Sequence, residues 1–211
     1  MAWTFGEEAL PETTELAAVL RRLGGLALSV EAPSPELRRV VEQLVDAERS
    51  LAGLAPASMA PRVGERHDES GRIYLDHSRD IGAFNPAFPV YDLVGDGDRA
   101  TGSVEFPILY EGPPGVVHGG FVAVFFDAVI QHHNCEVGVA GKTTHLEVRY
   151  RRPTPLLVPL TFQIERVATA EHIESTARLM RDDTICAEAT MRAIAGDRAA
   201  LPAVSPRRPG R

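Results

Sequence analysis

The chain has 211 residues, 44% apolar and 24% charged, which suits one domain plus an extension, or two small domains, of ordinary globular composition. A net charge of −7 argues against nucleic-acid binding, which leaves a basic footprint, yet permits an anionic small ligand on a local basic cluster. No apolar run approaches the roughly 20 residues of a membrane-spanning helix, so no membrane span is expected.

The opening MAWTFGEEAL has neither the basic nor the apolar region of a secretory signal, and a cytoplasmic protein is expected. The segment TTELAAVLRRL predicts a first helix, with Leu16, Val19, Leu20 and Leu23 on one face and Gly24-Gly25 as its stop. A second helix is predicted from Ser34-Pro35-Glu36: a cap, a proline at the first helical position and an acidic first turn. Its apolar stripe is Leu37, Val40, Val41, Leu44, Val45, Leu51 and Leu54. A turn-rich passage follows from Ala55 to about Pro89, and residues 1–80 read as a helical extension and linker.

From Phe88 the pattern changes to strands. FPVYDLV and RATGSVEFPI flank Gly95-Asp96-Gly97-Asp98, a tight-turn sequence. An apolar helical run lies within GPPGVVHGGFVAVFFDAVIQ, residues 112–131. Four more strand-like runs follow: KTTHLEVRY, VPLTFQIERVATA, HIESTARLM and TICAEATMRAIA. In the first of them Thr144, Leu146, Val148 and Tyr150 alternate with His145, Glu147 and Arg149. Short polar links favour antiparallel pairing of the last three. A helix apolar on nearly all sides must be buried, most simply by a curved antiparallel sheet of about six strands. The fold class is therefore α+β, with one domain over residues 81–196 and a Pro- and Arg-rich tail, 197–211, read as disordered. Cys135 and Cys186 are expected as reduced, packed thiols.

Two features of the apolar helix point to chemistry. Gly119 and Gly120 at its start expose backbone N–H groups where a helix carries partial positive charge, which suits a carbonyl oxygen gaining charge in acyl transfer. Tight helix–sheet packing is the other reading of those glycines. Asp127, a carboxylate inside an apolar helix, is costly to bury without a partner and is a candidate general base or nucleophile. A structural aspartate bonded to backbone or hydroxyl is the alternative. Gly119 and Asp127 are eight residues apart, so about 12 Å apart along the axis, too far for one thioester carbon. Two antiparallel helices across a two-fold axis would bring the glycine end of one protomer to Asp127 of the other. The enzymatic reading therefore requires a homodimer.

Other residues fit such a site. Gln131 shares a helix face with Asp127 and can orient water or a substrate carbonyl, or simply be solvated. Thr143 and Thr144 open the next strand, where a hydroxyl can position water, although threonine is also a good strand former. Arg149, Arg151 and Arg152 in RYRRP can meet phosphates of an anionic ligand or form a solvated strand end. No metal site is expected: His132 and His133 point to different helix faces, His67 and His77 lie in a loop region, and no ligand spacing appears.

YEGPPGVVHGGFVAVFFDAV followed by LEVRYRRPTPL resembles the hotdog-fold acyl-coenzyme A thioesterases. The likeness is to the phenylacetate-pathway type and to thioesterase superfamily members 4 and 5, over roughly residues 85–195. The resemblance implies a long helix wrapped by an antiparallel sheet, assembled as dimers or dimers of dimers. It also implies hydrolysis of an acyl-coenzyme A to free acid and coenzyme A, with coenzyme A as part of the substrate and no separate cofactor. By motif, His118 shapes the carbonyl corner, the N–H of Gly119 or Gly120 polarises the thioester carbonyl, and Asp127 is the acidic residue. Thr143 takes the hydroxyl position seven before the strand aromatic, Tyr150. Some relatives carry an asparagine shortly before the histidine, where this chain has EGPPG. Asn85, in an Asn-Pro context, is the only upstream asparagine, and a substrate-binding role is expected for it. A non-catalytic acyl-coenzyme A sensor and a hotdog enoyl hydratase are the rival readings. The latter is disfavoured because its usual His–Asp or His–Glu pattern is absent.

Overall fold

In the C-terminal half burial alternates residue by residue. Between 159 and 168, Leu160, Phe162, Ile164 and Arg166 are buried while their neighbours are exposed. That period of two defines strands with one face on a core. The structure, a computed structural model, describes residues 4–6, 9–54, 73–75, 80–137, 141–169 and 171–195. In chain order it has a short strand β1 (Thr4–Gly6), helices α1 (Pro11–Leu28) and α2 (Pro35–Leu54), and a short strand β2 (Ile73–Leu75). A one-turn helix α3 (Ile81–Phe84) precedes strands β3 (Tyr91–Asp96) and β4 (Arg99–Glu105). After a 3-10 turn at Ile108–Tyr110 come helix α4 (Gly119–Val137) and strands β5 (Gly141–Tyr150), β6 (Pro159–Ala168), β7 (Ile173–Arg181) and β8 (Thr184–Ala195).

Six strands form one antiparallel sheet in the order β3-β4-β6-β7-β8-β5, so β3 and β5 are its edges. Two-residue turns join β3 to β4 at Gly97-Asp98 and β7 to β8 at Asp182-Asp183. α4 packs against β3, β5, β7 and β8, so the sheet bends around it. Val122, Phe125, Phe126, Val129 and Ile130 of the helix are buried in one cluster with Phe106, Leu160, Phe162, Leu179 and Met191 of the sheet side. This is the α+β arrangement of a six-stranded sheet around one long helix that the sequence predicts. Cys135 and Cys186 are buried and not joined in a disulfide, in line with their apolar surroundings. No helix among the described residues is long and apolar enough to cross a membrane.

Local details correct the sequence reading. The predicted stop at Gly24-Gly25 is overturned, because α1 runs through both glycines to Leu28. The missing side chain of Gly24 lets α1 lie on the 3-10 turn, since a Cβ there would stand 2.8 Å from Leu109 Cδ1, whereas one on Gly25 would make ordinary contact with Ile108 Cγ2 at 3.4 Å. Arg21 ties α1 to a different segment, the one that follows α3. Its buried guanidinium donates to the carbonyls of Asn85 and Phe88 at 2.9 and 3.2 Å. The second helix starts as expected, with Ser34 Oγ accepting the Glu36 N–H at 3.1 Å. None of its residues is buried, however, and Leu37, Val41, Leu44, Val45, Leu51 and Leu54 are exposed. The N-terminal part also holds β1 and β2, which pair in parallel and carry no clear sequence signal. The tail 197–211, His67 and His77 lie outside the described residues.

Candidate functional site

The GPPG sequence builds the approach to α4. Glu111 pairs with Val117, the Gly112 N–H donates to the Val116 carbonyl at 2.9 Å, and Gly115 turns the chain at φ 75°. Glu111 Oε1 accepts the Gly115 N–H at 2.7 Å. A Cβ on Gly112 would lie 2.8 Å from His118 Cα, so only glycine lets the two arms of the loop close. The closed loop sets His118, whose N–H donates to the Tyr110 carbonyl at 2.8 Å. Tyr110 is buried beneath it against Phe106 and Phe121, and desolvation pushes its phenol up to about 12.

His118 then caps the helix with its ring. The Gly120 N–H donates to Nδ1 at 3.0 Å, which puts the ring proton on Nε2. The Phe121 and Val122 N–H groups are taken by the His118 carbonyl. That leaves the Gly119 N–H, which has no partner among the described residues, as the open donor of the first turn. The two glycines, equivalent in the sequence, thus have different tasks. Tyr150 holds Gly119 from the strand side, its hydroxyl donating to the Gly119 carbonyl at 2.7 Å. A Cβ on Gly119 would meet the Tyr150 ring at 3.2 Å, so the ring occupies the space a side chain would need.

Two turns further along, Asp127 sits half-buried with Gln131 one turn beyond on the same face. Thr143 Oγ1 donates to Asp127 Oδ1 at 2.8 Å, and Gln131 Nε2 donates to Thr143 Oγ1 at 2.8 Å. One hydroxyl therefore serves as both donor and acceptor in a Gln131–Thr143–Asp127 chain. Asp127 Oδ2 has no partner among the described residues, so one carboxylate oxygen is fixed and the other is open to chemistry.

Thr143 reaches Asp127 because of a β-bulge. Simple alternation places Thr144, not Thr143, on the face of Leu146, Val148 and Tyr150. In the structure Thr143 pairs with Ala193 and His145 with Arg192, leaving Thr144 as the extra residue. The bulge turns Thr143 inward beside buried Ala193 and Met191, with its hydroxyl 3.8 Å from Met191 Sδ. Thr144 Oγ1 instead donates to the Arg192 carbonyl at 3.1 Å.

Of the residues singled out in the sequence, the structure joins Asp127, Gln131 and Thr143 in one group, and His118, Gly119 and Gly120 in another. β5 runs back along α4 and touches both, Thr143 at one end and Tyr150 at the other. Thr144 and Asn85 lie outside these groups. Asn85 follows α3, where its side chain accepts the Ala87 N–H at 3.0 Å and its carbonyl is held by Arg21. Arg152 lies past the end of β5, exposed, on the wall of an open cleft. His132 and His133 serve the sheet edge: Tyr91 Oη lies 3.1 Å from His132 Nδ1, and buried His133 Nε2 lies 3.0 Å from the Gly97 carbonyl. Among the described residues no cluster could hold a metal ion. The sequence reading gave no role to Glu111, nor to the Tyr150 hydroxyl. Glu111 has no signal beyond its place before GPPG, whereas the inward phase of Tyr150 in the alternation was visible.

No protein-family model matches the chain. A crystal structure of a thioesterase superfamily protein matches with a TM-score of 0.70 and 26% identity, over 92% of this chain and 95% of that one. Coverage of that extent carries the match beyond the sheet into the N-terminal helices. A protein from Streptococcus mutans bound to acetyl CoA matches at a TM-score of 0.49 and 15% identity, over 62% of this chain and 97% of that one. A phenylacetic acid degradation-related protein from Ralstonia eutropha matches at 0.43 and 19% identity, over 50% of this chain and 83% of that one.

Proposed function

We propose that this chain, which has the hotdog fold of the thioesterase superfamily, hydrolyses an acyl-coenzyme A thioester to the free acid and coenzyme A. The observation that carries this reading is the Gln131–Thr143–Asp127 chain, which fixes one oxygen of a half-buried carboxylate and leaves the other open. Such a pre-oriented carboxylate is what a general base or an acyl-accepting nucleophile requires. The open Gly119 N–H, at the positive end of α4, supplies the complementary group for the carbonyl oxygen.

Asp127 Oδ2 is the reacting atom on either route. As a base it takes a proton from water, whose oxygen attacks the thioester carbon, and the carbon–sulfur bond breaks to release the thiol. As a nucleophile it forms a mixed anhydride, expels the thiolate, and is freed when water opens the anhydride. A single turnover in oxygen-18 water separates the two, since only the anhydride route can leave label in the Asp127 carboxylate.

The site is shared between two protomers. Gly119 and Asp127 are about 12 Å apart along one helix axis, and β5 holds them apart by gripping each separately. In a homodimer with antiparallel α4 helices, Gly119 of one protomer meets Asp127 of the other, giving two equivalent sites. A face for it is uncovered among the described residues: Val124 on α4 is 42% exposed, Tyr150 is 54% exposed, and β5 is an edge of the sheet.

Thiol release from a panel of acyl-coenzyme A esters tests the proposal. Wild-type protein is expected to turn over at least one ester, and Asp127→Asn and Asp127→Ala to lose at least about a hundredfold in kcat while remaining dimeric. Near wild-type turnover by Asp127→Ala removes this residue from the mechanism. Coenzyme A binding without any turnover makes the protein a sensor, and loss of enoyl absorbance without thiol release makes it a hydratase.

A further inference from the structure

The face that α1 turns to the body is not its leucine stripe. Leu16 and Leu20 are exposed, whereas Ala17 and Arg21 are buried and Gly24 lies on Leu109. Residues 17, 21 and 24 share one helix face, which thus carries a methyl group, a guanidinium and no side chain at all. The two small residues let the helix approach closely. The guanidinium works against burial: desolvation lowers Arg21 below the ordinary value of an arginine, and no carboxylate among the described residues pairs with it. Its two bonds to the carbonyls of Asn85 and Phe88 are what hold it there.

Through this face α1 bridges two separate parts of the chain. Arg21 grips the segment between α3 and β3, which is itself firmly seated: a Cβ on Gly82 would lie 2.3 Å from the Pro89 carbonyl oxygen. Gly24, one turn further along, bears on Leu109 of the 3-10 turn, and Leu109 packs against the core cluster. The next residue, Tyr110, meets the start of α4 twice. Its carbonyl takes the His118 N–H at 2.8 Å, and its ring stands edge-on to Phe121, with centroids 5.0 Å apart. His118 in turn takes the Gly120 N–H and leaves that of Gly119 open. Contacts therefore run without a break from α1 through Leu109, Tyr110 and His118 to Gly119.

We propose that α1 is a positioning element for the carbonyl-binding corner at Gly119, with Arg21 as its anchor and Gly24 as the seat that sets the Ile108–Tyr110 turn. The inference rests on the hydrolase reading above and gives the N-terminal extension a part in it. A donor to a developing oxyanion must stand at hydrogen-bond distance from where the charge appears, and a misplacement of about 1 Å by a remote change costs up to roughly a hundredfold in rate. α1 acts only through the turn and His118. Its loss of position should therefore slow the chemical step and leave substrate binding nearly as it was.

Paired substitutions in the full chain test the proposal. Gly24→Leu puts a side chain where Leu109 lies, and kcat is expected to fall about ten- to a hundredfold with KM within about twofold. Adding Leu109→Ala opens the space that the new side chain needs, so the double variant should return to within a few-fold of Leu109→Ala alone. Arg21→Met keeps the stem and removes the donors, and should also lower kcat, while Arg21→Lys should recover part of the loss. The amide resonances of Gly119 and Gly120, followed by NMR, should shift in Gly24→Leu and Arg21→Met and move back in the double variant. Should Gly24→Leu fail to fold, the two Arg21 variants decide. Unchanged kcat in folded variants, a rise in KM alone, or a double variant as slow as Gly24→Leu overturns the proposal. Shifted glycine amides in a protein that hydrolyses no ester remove the hydrolase and keep the coupling of α1 to Gly119. Hydrolysis with kcat and amides unmoved keeps the hydrolase and removes the coupling.

Discussion

Thr143 places a single hydroxyl between an amide and a carboxylate. Because it donates its only proton to Asp127, it decides which carboxylate oxygen is free. Thr143→Val keeps the shape and removes the bond, so kcat is expected to fall about ten- to a hundredfold, the usual worth of a hydrogen bond to a charged group. Thr143→Ser should stay within a few-fold, and Thr144→Val, whose hydroxyl bonds to Arg192 instead, near wild type. Rates of thiol release on one ester decide the ranking, and equal losses at 143 and 144 would dissolve the distinction. Asp127 was legible in the sequence because a carboxylate inside an apolar helix contradicts its surroundings. Thr143 and Thr144 stood level as strand-opening hydroxyls, and only the family likeness singled out Thr143, since strict alternation selects Thr144. A bulge is a tertiary event with no reliable mark in a single strand's pattern.

Elements were more legible than their ends. Period-two burial and short polar links disclosed all six strands of the sheet, and the helix apolar on nearly every side disclosed the centre they wrap. Glycines were the least legible residues, because local rules treat them as breaks while neighbours decide what they do. Gly25 and Gly102 make the contrast testable. A Cβ on Gly25 meets only ordinary contact with Ile108, so Gly25→Ala should stabilise α1, by up to about 1 kcal/mol. A Cβ on Gly102 of β4 would fall 1.9 Å from the Asp92 carbonyl oxygen and 2.3 Å from the Phe162 ring. Gly102→Ala should therefore destabilise the sheet by roughly 2 kcal/mol or more, through forced shifts of packed groups. Thermal or denaturant unfolding of both variants would show opposite signs, and matching signs would refute the contact argument.

At the scale of the molecule, the sequence disclosed the distance between Gly119 and Asp127 but not the face on which the proposed second protomer would dock, since assembly depends on faces gathered from distant elements. Mixed protomers give a direct test. Gly119→Pro removes the open N–H at the first helical position, where the backbone suits proline and the Tyr150 ring must give by a few tenths of an ångström, and Asp127→Ala removes the carboxylate. Each variant alone should be inactive. Unfolded and refolded together in equal amounts, they should recover about a quarter of wild-type activity, because half the dimers then carry one intact site of two. No recovery would place Gly119 and Asp127 in the same protomer's site. The double grip of β5 on α4 has a further consequence for how such a chain can drift over generations. Thr143 and Tyr150 fix the helix at two points, and one inserted residue between them would swing Asp127 by about 100° away from its hydroxyl. Between residues 119 and 131, descendants can exchange letters but cannot change the count, so aligned relatives should show that block free of gaps.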